Sequence, residues 1–388
     1  MEHNKSKRLK MMTILGTRPE IIRLARVMAA LDRYTDHKIV HTGQNYDYEL
    51  NEVFFEELEI RTPDVFLNID TNSLGTVLGN ILISIEKVFR ENRPDAVLIL
   101  GDTNSSIAAI MAKRMKIPVY HMEAGNRCFD PNVPEETNRK IVDHISDFNL
   151  VYTEHARRHL LSEGLPHRRI YLTGSPMREV LDYYQRLIDA SDVLDKLKLK
   201  PQQYILVSMH REENVDSKRN LKKLLDALEA LHKKYTYPVI VSTHPRTRKR
   251  IESLEGHKIS DGVQFLKPFG FVDYNKLQMQ AFCVVSDSGT IGEESSILGF
   301  PAITARNAME RPEALDAGGI ILTGLDCDVI LQAVEVVTDQ HKRGVRAPLP
   351  HEYAITNASQ RVVNLILGTA RLSNAWDGLL YHDYDQLD

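Results

Sequence analysis

Three carboxylates of this chain stand where acid–base chemistry could be done. Asp102 follows the apolar run Ala96-Val97-Leu98-Ile99-Leu100, and Glu123 lies just past Ile117-Pro118-Val119-Tyr120. Glu135 sits at the start of a helical pattern opened by Pro134, a residue favoured at the first helical position. The stretches His121 to Arg127 and Val133 to Arg139 flank one loop, Cys128 to Asn132. In open α/β sheets, ligands bind in the crevice outside the carboxyl ends of the strands. Acids there can take a proton from one face of a ligand and return one to the other. One such acid is as readily a surface ion-pair partner, or for Asp102 or Thr103 a helix N-cap. A set recurring in several strand-to-helix loops favours chemistry.

A second set suits an anion. Gly16-Thr17-Arg18-Pro19-Glu20 ends the first apolar run and starts a helix, so backbone N–H groups and the Arg18 guanidinium can meet a phosphate there. The competing reading is a tight turn with an incidental surface arginine. Further on, His210 and Arg311 are cationic or imidazole loop groups, and Ser288-Gly289-Thr290 opens a helix whose N-terminus could hold a diphosphate. Glu294, one turn into that helix, could accept hydrogen bonds from ribose hydroxyls. Taken singly, Ser288 reads as an N-cap and His210 as a surface histidine. Together these groups describe a nucleoside-diphosphate site in one domain facing three acids in another.

The elements that must position them alternate. Apolar runs at 11–15, 38–42, 96–100, 117–120, 150–152 and 170–173 read as strands, with helical patterns between them. After the polar stretch 189–203 the rhythm restarts at 204–208, 239–241, 282–285 and 301–304. The alternation predicts α/β architecture, two Rossmann-like domains with parallel sheets and helices on both faces. The expected bounds are 1–188 for the first domain, 189–203 for a linker, 204–372 for the second domain and 373–388 for a polar tail.

Composition sets limits. A chain of 388 residues exceeds one ordinary core and suggests two domains. The net charge of −4 provides no basic field for nucleic acid. The three cysteines, Cys128, Cys283 and Cys327, form neither a zinc pair nor a disulfide framework, which suits a reducing cytoplasm. The polar N-terminus does not read as a secretory signal, and no apolar run is long enough to cross a membrane. His-Glu-x-x-His, G-x-S-x-G and a G-x-G-x-x-G after the first strand do not occur. Asp326-Cys327-Asp328 precedes a helical pattern and reads as a cap rather than a metal pair.

Gly16 to Glu20, Gly101-Asp102-Thr103, His121 to Arg127, Pro134-Glu135-Glu136-x-Asn138-Arg139, His210-Arg211-Glu212, Ser286-Asp287-Ser288-Gly289 and Glu310-Arg311-Pro312-Glu313 occur in the order of the non-hydrolysing UDP-N-acetylglucosamine 2-epimerases. Over residues 10 to 365 the chain resembles that family. The resemblance implies the glycosyltransferase-B arrangement with the active site in the inter-domain cleft, a UDP-sugar substrate, epimerisation at C2 without NAD, metal or other cofactor, and a homodimer. It implies Asp102, Glu123 and Glu135 as acid/base groups and His210 as the stabiliser of the leaving phosphate. Around UDP and sugar it adds Arg18, Gln44, Arg127, Asn138, Arg139, His244, Phe271, Ser288, Gly289, Thr290, Glu294 and Arg311. The chain departs from the family at Asn126, in the short loop Cys128–Val133 and at Thr290. These departures look like the branch that converts UDP-2-acetamido-2,6-dideoxy-L-talose to UDP-N-acetyl-L-fucosamine for capsule or O-antigen. The alternatives are an ordinary UDP-N-acetylglucosamine 2-epimerase, a hydrolysing epimerase, a transferase of the same architecture and a silent UDP-sugar sensor.

Overall fold

The computed structural model describes residues 8–43, 54–209, 211–243, 245–252 and 259–379. The chain divides into two compact units, Met1–Asp182 with Ile355–Asp388, and Tyr183–Ala354.

Unit 1 is a seven-stranded sheet in the order β3-β2-β1-β4-β5-β6-β7. Its strands are β1 Lys10–Leu15, β2 Asp36–His41, β3 Val65–Phe66, β4 Ala96–Leu100, β5 Val119–Met122, β6 Phe148–Val151 and β7 Ile170–Leu172. All pairings are parallel. Parallel strands need both faces covered, which is why the central strand β4, AVLIL, is apolar on every residue and fully buried. Met12, Ile14, Val97 and Ile99 pack with Ile81, Ile85 and Phe89 of the helix Leu74–Asn92. Ser73 caps that helix by accepting from the Thr76 N–H, and Arg93 in a left-handed conformation ends it ahead of Pro94. The strand order reverses between β1 and β4, so the turns at Gly16 and Gly101 open where a ligand crevice forms.

Unit 2 repeats the plan with six parallel strands in the order β10-β9-β8-β11-β12-β13. They are β8 Ile205–Ser208, β9 Val239–Ser242, β10 Val263–Leu266, β11 Cys283–Ser286, β12 Ala302–Thr304 and β13 Ile321–Leu322. Ile205, Val207, Val239, Val241 and Val285 face the helices Lys218–Tyr235 and Cys327–Lys342. Leu206, Ile240 and Val284 point the other way, onto Leu277, Ile291 and Tyr353. Alternate residues thus feed two cores. Asp326 caps the helix Cys327–Lys342, its carboxylate accepting from the Asp328 and Val329 N–H groups at 3.1 Å each.

Several expectations are revised. The strands β3, β10 and β13 carry no alternation or long apolar run and escape pattern reading. Segment 189–203 is no free linker. Val193 and Leu194 enter the unit 2 core, Ser191 donates to Asp273 at 2.6 Å, and the Gln202 N–H donates to the Gln280 carbonyl. The helix Ala358–Thr369, expected in the second domain, belongs to unit 1 and packs on the helix Arg18–Tyr34. Glu179 accepts from the Ser359 N–H at 2.8 Å and from its hydroxyl. The first residues of the expected tail dock as well. Arg169 lies over both the Phe148 and Trp376 rings and donates to Asp377 at 2.6 Å. Among the described residues no helix is long and apolar enough to cross a membrane.

Candidate functional site

In unit 1 the adjacent strands β4 and β5 end together, Leu100 opposite Met122. Asp102 and Glu123 follow at once, and an arginine meets each. Arg139, on the helix Pro134–Ile145, donates from Nε to Asp102 Oδ2 at 2.6 Å. Its neighbour Asn138 donates to the Asp102 carbonyl at 2.9 Å. Arg23, on the helix Arg18–Tyr34, pairs with Glu123 Oε2. The Arg23 side chain is 3% exposed and that of Glu123 13%, so the charge that fixes Glu123 is itself buried. Glu123 has φ 65°, in the left-handed region. Residues with a side chain avoid that region, and holding one there costs on the order of 1–3 kcal/mol. Glu135 is the second residue of its helix and half-buried, and its carboxylate makes no hydrogen bond or ion pair among the described residues.

Beneath these acids lies a rigid lattice. Arg127 donates to Asp143 at 2.7 Å and clasps Glu163 with two bonds of 2.8 and 2.7 Å. The Arg127 hydrogen bonds hold the Glu163 carboxyl down at about 2. Asp143 also accepts from the Gly125 N–H, and His121 Nδ1 lies 2.9 Å away, out of line for a hydrogen bond. Gly125, at φ 80°, must be glycine, because a Cβ there would lie 2.4 Å from the Ala156 carbonyl. Arg127 is 2% exposed with its donors engaged, so the expected substrate contact from Arg127 is corrected to a scaffold role. Glu136 accepts from the Cys128 N–H and from Arg139 at 2.9 Å. Burial alone would raise its carboxyl, but these bonds outweigh burial and hold it below its ordinary value. Arg18 opens its helix with the guanidinium 5.8 Å from the Phe54 ring centroid.

In unit 2 the loops after β8, β11 and β12 lie side by side. Arg211 donates from Nε to the Asp287 carbonyl at 3.0 Å and from Nη2 to Glu310 at 3.1 Å. Asp287, fully buried, accepts from the Arg211 N–H and from Asn214. Glu310 also pairs with Arg306 at 2.7 Å, and Arg311 with Glu293 at 3.1 Å. The turn Ser288-Gly289-Thr290 runs over Glu310, where a Cβ on Gly289 would come within 2.4 Å of Glu310 Oε1. The N-cap of the helix Ile291–Leu298 is Thr290, not Ser288. Thr290 donates to Glu294 Oε1 and Gln278 to Oε2, both at 2.6 Å, which aims the Glu294 carboxylate and leaves each oxygen a further lone pair. The Phe271 ring is buried, edge-on to Tyr184 at 5.8 Å. Phe271 begins the helix Phe271–Gln280. Gln44, His210 and His244 lie outside the described residues. No cluster of metal-ligating side chains occurs among the described residues.

Pattern reading passed over Arg23 and Asp143, and gave no role to Glu136, Asp287 and Glu310 although they stand in its motifs. Arg23 had a usable signal: with Glu20 it places charges one turn apart on a helix face that continues as Leu24, Val27 and Leu31, all buried. A charge in a buried stripe must be paired.

The profile of the UDP-N-acetylglucosamine 2-epimerase family matches residues 29–367. The chain is 50% identical to a UDP-N-acetylglucosamine 2-epimerase from Rickettsia bellii of known structure, with TM-score 0.89 over 95% of this chain and 98% of that one. It is 34% identical to the Methanocaldococcus jannaschii enzyme solved in complex with UDP-GlcNAc and UDP, with TM-score 0.86 over 93% and 100% of the two chains. It is also 34% identical, over 84% of its own length and 91% of the relative's, to the UDP-2,3-diacetamido-2,3-dideoxy-D-glucuronate 2-epimerase of Pseudomonas aeruginosa. With its two parallel sheets and its acid-bearing loops, the chain belongs to the UDP-N-acetylglucosamine 2-epimerase family.

Proposed function

We propose that this chain inverts C2 of a UDP-N-acetylhexosamine by eliminating UDP and adding it back. The observation that carries the reading is the pair Asp102 and Glu123, emerging from adjacent strands and each aimed by its own arginine.

The C2 hydrogen has no carbonyl beside it and is not acidic. A carboxylate can remove it only as the C1–O bond to UDP breaks and positive charge develops on C1. The C1–O electron pair leaves with UDP, the C2 proton passes to a base, and a C1=C2 double bond remains. Return of UDP to C1 with protonation of C2 from the opposite face gives the epimer. Asp102, Glu123 and Glu135 supply acid and base. Arg311, Arg18, His210 and the N–H groups at Ser288–Thr290 stabilise the departing diphosphate, with Glu294 on the ribose. Asn138 and Arg139 reach the sugar's side of the site by holding Asp102. Gln44 and His244 complete the set in this reading.

UDP-N-acetylglucosamine, incubated alone with the protein and followed by NMR, tests this. A second UDP-sugar is the expected product. UDP with free sugar would mark a hydrolase, and no change would favour a transferase or a sensor.

A second reading concerns the sugar. Asn126 is buried and belongs to the scaffold, but Phe129 is 72% exposed on the loop between Glu123 and Glu135. An aromatic ring there suits a C6 methyl, as in UDP-2-acetamido-2,6-dideoxy-L-talose. An apolar pocket rejects the extra hydroxyl of the glucosamine only by about 10². Production of UDP-N-acetyl-L-fucosamine for capsule or O-antigen, by a cytoplasmic homodimer, follows this reading and rests on the resemblance. A kcat/KM ratio favouring UDP-N-acetylglucosamine would remove it and leave the epimerase standing.

A further inference from the structure

Glu20 has no role in the chemistry above, yet it is 1% exposed and carries more donors than a capping residue needs. Its Oε2 accepts from the Gly16 N–H at 2.9 Å, the Thr17 N–H at 2.7 Å and the Thr17 hydroxyl at 2.8 Å. That half is an N3 glutamate reaching back to its N-cap. Its Oε1 turns across the sheet to the loop after β4, accepting from the Thr103 hydroxyl at 3.1 Å and from the Ser105 hydroxyl. The two hydroxyls lie 2.7 Å apart and, with one proton each, share two protons among these three contacts. One carboxyl therefore joins the turn that carries Arg18 to the loop that carries Asp102. Burial pushes this carboxyl above its ordinary value, against the pull of all its donors.

Asp102 itself is held by Arg139 and Asn138. Those bonds fix the carboxylate and one carbonyl, whereas the tie at Thr103 and Ser105 fixes the backbone that follows. We propose that Glu20 is a positioning residue for the reaction: through Thr103 and Ser105 it sets the place of Asp102 relative to the Arg18 turn. This inference rests on the epimerase reading, in which Asp102 handles a proton and Arg18 meets the diphosphate.

The cross-sheet half of the tie can be cut without touching the cap. In Thr103→Val/Ser105→Ala, Oε2 keeps its donors while Oε1 loses both. The proposal expects kcat to fall by about 10- to 100-fold, the scale of a misplaced reacting group. KM stays close to the parent's, and amide hydrogen exchange quickens across 101–106 but not in the helix 18–34. Glu20→Gln supplies the rescue. Its carbonyl can replace Oε2, and its NH2 can donate to two hydroxyls that are free to accept, so it retains most of the turnover that Glu20→Ala loses. A merely structural residue would lower the melting temperature and leave kcat of the folded protein unchanged.

Two results overturn the proposal. One is a folded double variant whose kcat stays within about twofold of the parent, a change too small for lost transition-state positioning. The other is Glu20→Gln failing as badly as Glu20→Ala, which would assign the effect to charge rather than to the tie. Should the double variant not fold, the Gln and Ala pair decides the matter. An inactive parent protein in the same assay would bring down the epimerase reading, and this inference with it. An active parent with unaffected variants would bring down only the inference.

Discussion

In unit 1 the loops at the carboxyl ends of β4 and β5 present carboxylates, and buried arginines hold them: Arg139 on Asp102, Arg23 on Glu123. In unit 2 the loops after β8 and β12 present arginines, and buried carboxylates pair with them, Glu310 with Arg211 and Glu293 with Arg311, while the Asp287 carboxylate holds the Arg211 backbone N–H. Both sheets reverse their order at the matching place, β1 beside β4 and β8 beside β11. The backbone plan is shared and the charge pattern is inverted. A fold of this kind fixes where a ligand is met, while the loop side chains decide what is done to it. In the proposed reaction, unit 1 moves protons and unit 2 holds a dianion.

The contrast can be broken at its strongest point first. Asp102→Asn, Glu123→Gln and Glu135→Gln should each lower kcat by about 10²–10⁴, the range for acid–base groups, with UDP affinity nearly unchanged. Steady-state kinetics with calorimetry of UDP binding checks both halves. A variant that keeps its turnover removes that acid from the mechanism.

Arg127 is the next lever. Arg127→Ala would leave Asp143 and Glu163 without their cation, at a cost of about 3–5 kcal/mol for a broken buried pair. Chemical denaturation measures it. A stable Arg127→Ala protein that loses UDP affinity would return Arg127 to the ligand contacts.

Unit 2 answers to a smaller change. Glu294→Ala should weaken UDP binding by about 1.5–3 kcal/mol, the worth of hydrogen bonds to a charged acceptor, with kcat at saturating substrate less affected. Unchanged affinity by calorimetry would place the ribose elsewhere.

The smallest effect is one of pH. The carboxyl of Glu163 is held down at about 2 by Arg127, against an ordinary value of 4.5. A depressed carboxyl gives stability that is present above 4.5 and is lost as pH falls through about 2. Melting temperature should therefore decline over that window in the parent, and decline less in Glu163→Gln. Equal slopes would mean that the clasp on Arg127 contributes little in solution.

Much of the plan was legible before the structure. Strands buried on both faces carry continuous apolar runs, so Ala96–Leu100 and Ile205–Val207 announce themselves, and the acids and arginines sit just past their ends. Strands as short as Val65–Phe66 and Ile321–Leu322 carry no period to read. Who holds whom was hidden too, because the partners are distant in the chain: Arg23 and Glu123, Arg211 and Glu310, Glu20 and Ser105. Arg127 shows the cost of this. Its place in a motif made it look like a ligand contact, and only its burial against Asp143 and Glu163 shows that it is scaffold. The C-terminal helix misled for the opposite reason. Its apolar face is plain in sequence, but nothing local tells which sheet will cover it.

The central claim is that proton traffic at C2 accompanies loss and return of UDP. Its most direct test is the NMR spectrum of UDP-N-acetylglucosamine equilibrated with the protein in deuterated water, with no nicotinamide added. The account predicts a second UDP-sugar, epimeric at C2, with deuterium at C2 of the newly formed epimer. Epimer without deuterium, or UDP and free sugar in place of an epimer, would contradict it.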